Sequence, residues 1–263
     1  MRKFSLVIPV YKQEGTIRQE IQNILLTLST YHKVFEIIVV IDGDVDKSRA
    51  EAKRVRDSRV KVVGYQTNHG KGYAIRYGFA HATGEIIGFM DAGGDLTPKS
   101  LNFMLEQFQW LDADIVIGSK RHPDSKVNYP FFRKCISFVY QMIVKILFGL
   151  NVRDTQVGMK VYRRKVLEDV LPRLLVKQFA FDIEILAVSH YLGYTKIFEA
   201  PVELDFSGVI STITIRKIFL ISLNVLKDTF AVFYRLRILR YYDDASKRKW
   251  RYDPELNFRI NIG

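Results

Sequence analysis

A chain of 263 residues with 48% hydrophobic content can bury a core, which excludes disorder as the default and leaves room for one large α/β domain or two small ones. Its 40 Lys and Arg against 28 Asp and Glu give a formal charge of +12, a basic surface suited to nucleic acid, anionic lipid or phosphorylated substrates. The single cysteine, Cys135, excludes an internal disulfide, no Cys/His cluster offers a zinc site, and a reducing or cytoplasm-facing compartment fits.

Phe4 to Val10 reads as a buried strand from its run of Leu6, Val7, Ile8 and Val10, with Pro9 at its carboxyl end. The N-terminus has two basic residues and a short apolar run but no small-residue cleavage site, so a strand is expected rather than a signal peptide. Ile17, Ile21, Ile24, Leu25 and Leu28 then recur at helical spacing. Glu36 to Asp42 is a second apolar strand ending in aspartate, Asp46 to Arg56 a solvated helix, and Val60 to Tyr65 a third strand. Asn68 to Gly78, NHGKGYAIRYG, is a glycine-rich turn entering a helix. In Glu85 to Pro98, EIIGFMDAGGDLTP, a fourth strand ends at Asp91, passes two glycines and Asp95, and meets Pro98 at a helix start. Asp114 to Ser119 supplies a fifth strand.

Apolar strands alternating with helices predict an α/β fold with a mostly parallel central sheet covered on both faces. Ligands of such sheets bind beyond the carboxyl ends of the strands, and Pro9, Asp42, Asp91 and Ser119 all fall at those ends.

The second half changes character. Across 131–150, polar residues recur at Lys134, Ser137, Gln141 and Lys145 as one narrow stripe on an otherwise apolar and aromatic helix. Such a helix suits either a core or a membrane interface with its lysines toward headgroups. Ile213 to Leu239 is similar, and its follow-on SKRKWRYD combines four cations with Trp250, as expected near anionic lipid or on a solvated charge run. No apolar segment reaches the roughly 20 residues of a spanning helix, so the chain is expected to lie on a membrane rather than cross it.

Asp42, Asp91, Asp95 and the Gly-Lys-Gly turn around Lys71 suit a nucleoside diphosphate, with Lys71 either approaching phosphate or bracing Asp91. Carboxylates at the end of a buried strand can hold a divalent cation. The order is not that of a P-loop, and G-x-G-x-x-G does not follow the first strand. No nucleic-acid recognition motif is present, and the cations cluster on apolar amphipathic stretches.

PVYKQEGTI, VIDGDVDKS, NHGKGYAIRYG, FMDAGGD and GSK occur in an order that resembles the family 2 glycosyltransferases of the GT-A fold. DTQVGMKVYRR (Asp154 to Arg164) and FAFDIEIL (Phe179 to Leu186) look most like the dolichyl-phosphate or polyprenyl-phosphate glucosyltransferases, and the resemblance covers residues 4 to 240. It implies inverting transfer of a hexose, glucose first, from a UDP-sugar in preference to a GDP-sugar, with Mg²⁺ or Mn²⁺, to a polyprenyl phosphate such as dolichyl or undecaprenyl phosphate. It implies a GT-A catalytic domain over 1–210, including the acceptor-side helix 131–150. The segment 211–263 would bind the anionic membrane surface or pair two copies of the chain. The expected place is peripheral, at the cytoplasmic face.

By resemblance, Pro9, Tyr11 and Glu14 match the first nucleotide-contacting motif and Asp42 its partner at the base. Asp91 matches the first aspartate of the D-x-D motif, Gly93 replaces the second, and Asp95 stands two positions later, so Asp91 and Asp95 are the expected metal pair. Ser119, Lys120 and Arg121 stand where the family has Gly-Ser-Arg, and Arg133 with Ser137 resembles its lipid-phosphate clamp. Asp91, Lys120 and Asp182 are the expected catalytic residues. Asp182 and Glu184 match the acidic pair of the FD-x-E motif, with Asp182 as an orienter because a phosphate monoester, second pKa about 6, is already largely ionised. Lys160, Arg163 and Arg164 read as a solvated or acceptor-flanking basic face.

Two rivals remain open at this level. One keeps the fold but transfers to a saccharide or other hydroxyl, with Asp182 as a true base. The other is an inactive nucleotide-sugar-binding or membrane-docking module.

Overall fold

The computed structural model describes residues 2–32, 34–93, 96–125, 131–175, 180–203, 215–244, 250–256 and 258–261. Among the described residues seven strands form one sheet: β1 (Phe4–Val10), β2 (Phe35–Asp42), β3 (Val60–Tyr65), β4 (Ile86–Met90), β5 (Ile115–Ser119), β6 (Met159–Arg163) and β7 (Ile197–Pro201). Their order is β3-β2-β1-β4-β6-β5-β7. The pairs β1–β2, β1–β4, β2–β3 and β5–β7 are parallel, whereas β6 runs antiparallel to both β4 and β5.

The strands are apolar runs because both faces are covered. Successive side chains point to opposite faces, so Leu6 and Ile8 join one core while Val7 joins the other. The first core packs under α1 (Ile17–Tyr31) and α4 (Lys99–Trp110); the second under α3 (Lys71–His81), α6 (Arg164–Val170) and α7 (Phe181–Tyr191). All five apolar positions expected on α1, from Ile17 to Leu28, are buried.

The charged segment expected from Asp46 to Arg56 shortens to α2 (Ser48–Lys53). The Asp46 carboxylate accepts the backbone N–H groups of Ser48 at 2.9 Å and Glu14 at 3.2 Å, which holds the preceding residues in a loop. The second difference is β6 itself. Far from a solvated face, Lys160 is buried, Arg163 pairs with Asp112, and Arg164 donates to the carbonyls of Gly84 and Ala82.

Two long helices, α5 (Phe131–Phe148) and α8 (Ile215–Phe233), pack against each other and against α7. The Tyr140 hydroxyl lies 3.0 Å from that of Thr229, and Phe148 meets Phe233 edge-on. Among the described residues no helix is long and apolar enough to cross a membrane. Both helices nevertheless leave large apolar side chains exposed, including Phe138 (56%) and Ile146 (76%) on α5 and Phe230 on α8. After a π-helical turn at Tyr234–Ile238, Tyr242 returns to the core, and an antiparallel hairpin of β8 (Trp250–Asp253) and β9 (Phe258–Asn261) follows. The Tyr73 hydroxyl on α3 donates to Glu255 in that hairpin at 2.7 Å. The expected domain boundary at 210 and the basic run 246–249 lie outside the described residues.

Candidate active site

Because β6 alone runs backward, the carboxyl ends of β1, β2, β4, β5 and β7 share one rim. A cavity of about 470 Å³ opens there, lined by Pro9, Tyr11, Asp42, Lys71 and Asp91 among others. These are residues the sequence assigned to a nucleotide. Glu14, assigned with them, is turned away: its carboxylate accepts the Lys47 N–H at 3.0 Å and ties the loop after β1 to the loop after β2.

Asp42 organises one wall. Its buried carboxylate accepts the N–H of His69 at 2.7 Å, the N–H of Gly70 at 3.0 Å and the side-chain amide of Asn68 at 3.0 Å. Gly70, at φ 90°, takes a backbone conformation that L side chains rarely adopt and leads directly into α3. The turn thereby delivers Lys71 to the cavity.

Lys71 joins two carboxylates that lie far apart in the chain. Its ammonium stands 2.9 Å from Asp91, just beyond β4, and 2.9 Å from Asp182, in the first turn of α7. Asp182 is held from its other side by Lys160 at 2.6 Å. Burial pushes the Asp182 carboxyl upward, but the two ammonium groups outweigh it and hold its pKa below the ordinary value. Burial likewise lowers Lys71, and Asp182 and Asp91 more than restore it, so Lys71 is raised and remains charged. Asp182, with an ammonium on each oxygen, is suited to orienting its neighbours rather than to accepting a proton.

Asp91 is the partly exposed member, with 42% of its side chain open. Its N–H donates to the Gly158 carbonyl at 2.8 Å, and Gly158 is packed against its carboxylate. A carboxylate has about four lone-pair directions, and one lysine does not fill them. One such carboxylate together with phosphate oxygens is a ligand set that Mg²⁺ accepts, so Asp91 fits a divalent cation brought with a diphosphate. Among the described residues no group of three acidic, histidine or cysteine side chains makes a cage by itself. Asp95 lies outside the described residues. Gly93 stands at φ 132°, and its N–H faces the Glu20 carboxylate of α1 at 3.2 Å.

The residues assigned to an acceptor phosphate lie on the loop after β5 and on α5. Ser119 is buried, and its hydroxyl accepts the Arg121 N–H at 3.3 Å. The Lys120 N–H donates to Asp154 at 3.2 Å. The Arg121 guanidinium donates to the backbone carbonyls of Ser137 at 2.9 Å and Arg153 at 3.0 Å, pinning α5 to the rim. Arg133 falls in the first turn of α5, and its side chain lies outside the described residues. Glu184, the second acid of the FD-x-E pair, is buried away from Asp182's lysines and accepts the Tyr242 hydroxyl at 2.6 Å.

Sequence reasoning missed Lys160, Gly158 and Glu20. The V-G-M-K-V-Y alternation around Lys160 was an available strand signal, but the partner that neutralises the lysine is 22 residues away.

A family model described as Glycosyl transferase family 2 matches residues 5–171. The dolichyl-phosphate beta-glucosyltransferase of Drosophila melanogaster is 30% identical over 206 residues, spanning 72% of this chain and 63% of that protein. Its human counterpart is 28% identical over 209 residues, spanning 72% of this chain and 64% of that protein. The chain thus spans under two thirds of the length of these relatives. An undecaprenyl-phosphate mannosyltransferase of Micrococcus luteus is 31% identical over 206 residues, 74% of this chain and 81% of that protein. Glucosyl-3-phosphoglycerate synthase of Mycobacterium tuberculosis, crystallised with Mn²⁺, UDP-glucose and phosphoglyceric acid, superposes with a TM-score of 0.62 at 17% identity. That superposition covers 99% of this chain and 86% of the other, and establishes the GT-A fold.

Proposed function

The chain belongs to glycosyl transferase family 2, and from that premise we propose that it transfers a hexose, glucose in preference to mannose, from a UDP-sugar to a polyprenyl phosphate. The observation that carries this reading is the cavity at the strand ends, where Asp91 stands partly open beside the Lys71 ammonium with Pro9, Tyr11 and Asp42 on the walls. Pro9, Tyr11 and the turn held by Asp42 would seat the nucleoside, and Lys71 lies within reach of its diphosphate. A divalent cation, Mg²⁺ or Mn²⁺, would be held by Asp91 with Asp95 and would supply positive charge to the departing diphosphate.

In the reaction a phosphate oxygen of the polyprenyl phosphate attacks the anomeric carbon of the donor. The bond from that carbon to the diphosphate breaks, UDP leaves, and the configuration inverts. No base is required, because a phosphate monoester with a second pKa of about 6 is largely dianionic at neutral pH. That matches an Asp182 locked between two ammonium groups, which argues against the hydroxyl-acceptor rival. Catalysis rests on positioning and on charge placed beforehand. Lys120 and the loop from Ser119 to Arg121 border the acceptor side.

The exposed apolar faces of α5 and α8, with Lys145, Lys227, Arg235 and Arg237 on the same helical segments, suit a membrane interface. The protein would work at the cytoplasmic face, where its lipid acceptor presents its phosphate. Incubation with UDP- and GDP-sugars, polyprenyl phosphate and either metal, followed by mass analysis of the lipid fraction, tests the reading. Rapid transfer to a hydroxyl acceptor with none to polyprenyl phosphate would sink it.

A further inference from the structure

The proposed chemistry uses Lys160 only as one of the two ammonium groups that lock Asp182. Lys160 is 2% exposed, in the middle of the sheet, with Phe89 opposite it on β4 and Ile117 on β5. An ammonium there is costly unless it is paired, and it is paired twice. It donates to Asp182 at 2.6 Å and to the Val157 carbonyl.

Each of those contacts leads to Asp91 by a separate route. Through Asp182 the route continues to Lys71 and on to the Asp91 carboxylate, each step 2.9 Å. Through Val157 it continues to Gly158, whose carbonyl accepts the Asp91 N–H at 2.8 Å and whose Cα lies against the carboxylate. The contacts close into a ring, of which Lys71 and Asp91 line the cavity while Asp182 and Lys160 are not among its lining residues. The charges alternate along it: two carboxylates, Asp91 and Asp182, and two ammonium groups, Lys71 and Lys160, with no net charge.

We propose that Lys160 is a positioning residue that sets the charge behind the Lys71–Asp91 wall of the cavity: by neutralising Asp182 from its other side, it lets Lys71, shared between Asp91 and Asp182, present positive charge to a diphosphate. Without Lys160 the ring carries one excess negative charge, directed at a ligand that is itself anionic. Lys71 is then drawn onto Asp182, and Asp91 loses its brace. This rests on the nucleotide-diphosphate reading of the cavity.

Calorimetric titration with UDP, with and without Mn²⁺, tests it on four proteins: the native chain, Lys160→Met, Asp182→Asn, and the double variant. Lys160→Met weakens UDP binding by roughly tenfold or more. Asp182→Asn, which shifts the ring toward positive charge, keeps or tightens binding, and the double variant returns to within about threefold of the native chain. A merely structural role would make both single variants weaker. Unchanged affinity in Lys160→Met, or equal weakening in both, overturns the proposal. If Lys160→Met does not fold, the double variant decides, since it removes both buried charges of the pair; loss of UDP binding there by tenfold or more overturns the proposal. A native chain that binds no nucleoside diphosphate overturns the donor reading and this role together, whereas native binding with an insensitive Lys160→Met overturns this role alone.

Discussion

A β-carbon added to Gly158 would stand 2.2 Å from Oδ2 of Asp91 and 2.8 Å from that residue's own Cβ. The contact explains why glycine is needed at 158, and it yields the first expectation. Gly158→Ala must push the Asp91 carboxylate aside, and a displacement near 1 Å in a reacting geometry costs about 100-fold in rate. Turnover falls by that order while far-UV circular dichroism stays native. Full turnover in Gly158→Ala would show that Asp91 does not depend on this packing.

Asp91 and Asp95 are expected to differ in their response to metal. In Mn²⁺ titrations of glycosyl transfer, Asp91→Asn abolishes metal activation. Asp95→Ala raises the half-activating concentration by at least the roughly 10- to 100-fold that loss of a mere outer-shell partner of a metal site costs. An Asp95→Ala variant with an unchanged titration would remove Asp95 from the pair.

Restoring the family's second aspartate should not help. Among the described residues an added Cβ at Gly93 would meet only Gln13 Nε2, at 4.0 Å, but φ 132° is hostile to L side chains. Gly93→Asp is therefore expected to cost about 1–3 kcal/mol in urea unfolding and to leave metal affinity no tighter. A variant as stable as the native chain would mean that the loop adopts another backbone path.

Acid stability should report on Glu36. Burial raises its pKa, but hydrogen bonds from Lys61, Ser5 and Thr83 outweigh that and bring it to about 2, from an ordinary 4.5. A depressed carboxyl contributes stability above its unfolded pKa and loses it as the pH falls through the folded value. The contribution is complete above about pH 4.5, disappears toward pH 2, and is on the order of 2 kcal/mol after allowance for the half-exposed Lys61. Unfolding free energies measured from pH 6 to pH 2.5 should fall less steeply in Glu36→Gln.

Membrane association should depend on α5. Phe138, Met142 and Ile146 are exposed and spaced four residues apart, which aligns them on one face. Ile146→Asp should reduce sedimentation with phosphatidylglycerol vesicles several-fold while leaving UDP affinity unchanged. Equal sedimentation would place the lipid contact elsewhere.

The half of the sheet nearest the N-terminus was legible because its strands are continuous apolar runs and α1 repeats at 3.6 residues. Asp91 and Asp42 were legible as strand-end acids, although nothing local showed that Asp42 spends its oxygens on the Asn68–Gly70 turn. Strand β6 escaped notice because Lys160 and Arg163 make M-K-V-Y-R look solvated, and only tertiary pairing with Asp182 and Asp112 permits those charges there. The C-terminal hairpin was equally hidden. Its anchor, Glu255 on Tyr73, joins residues 182 positions apart.

Strand β5 precedes β6 in the chain yet reaches β4 only through it. In the folded sheet β6 fills the lane between β4 and β5, about 10 Å wide at two strand spacings, and pairs the backbone of both; without it those edges have no partner in this lane. Chains halted before Met159 should accordingly aggregate or recruit chaperones more readily than chains halted after Arg163. The late strand that fills this lane also carries Lys160 and follows directly on Gly158, so the step that closes the sheet is the same one that sets Gly158 against Asp91 and Lys160 against Asp182, behind cavity residues that were all made earlier.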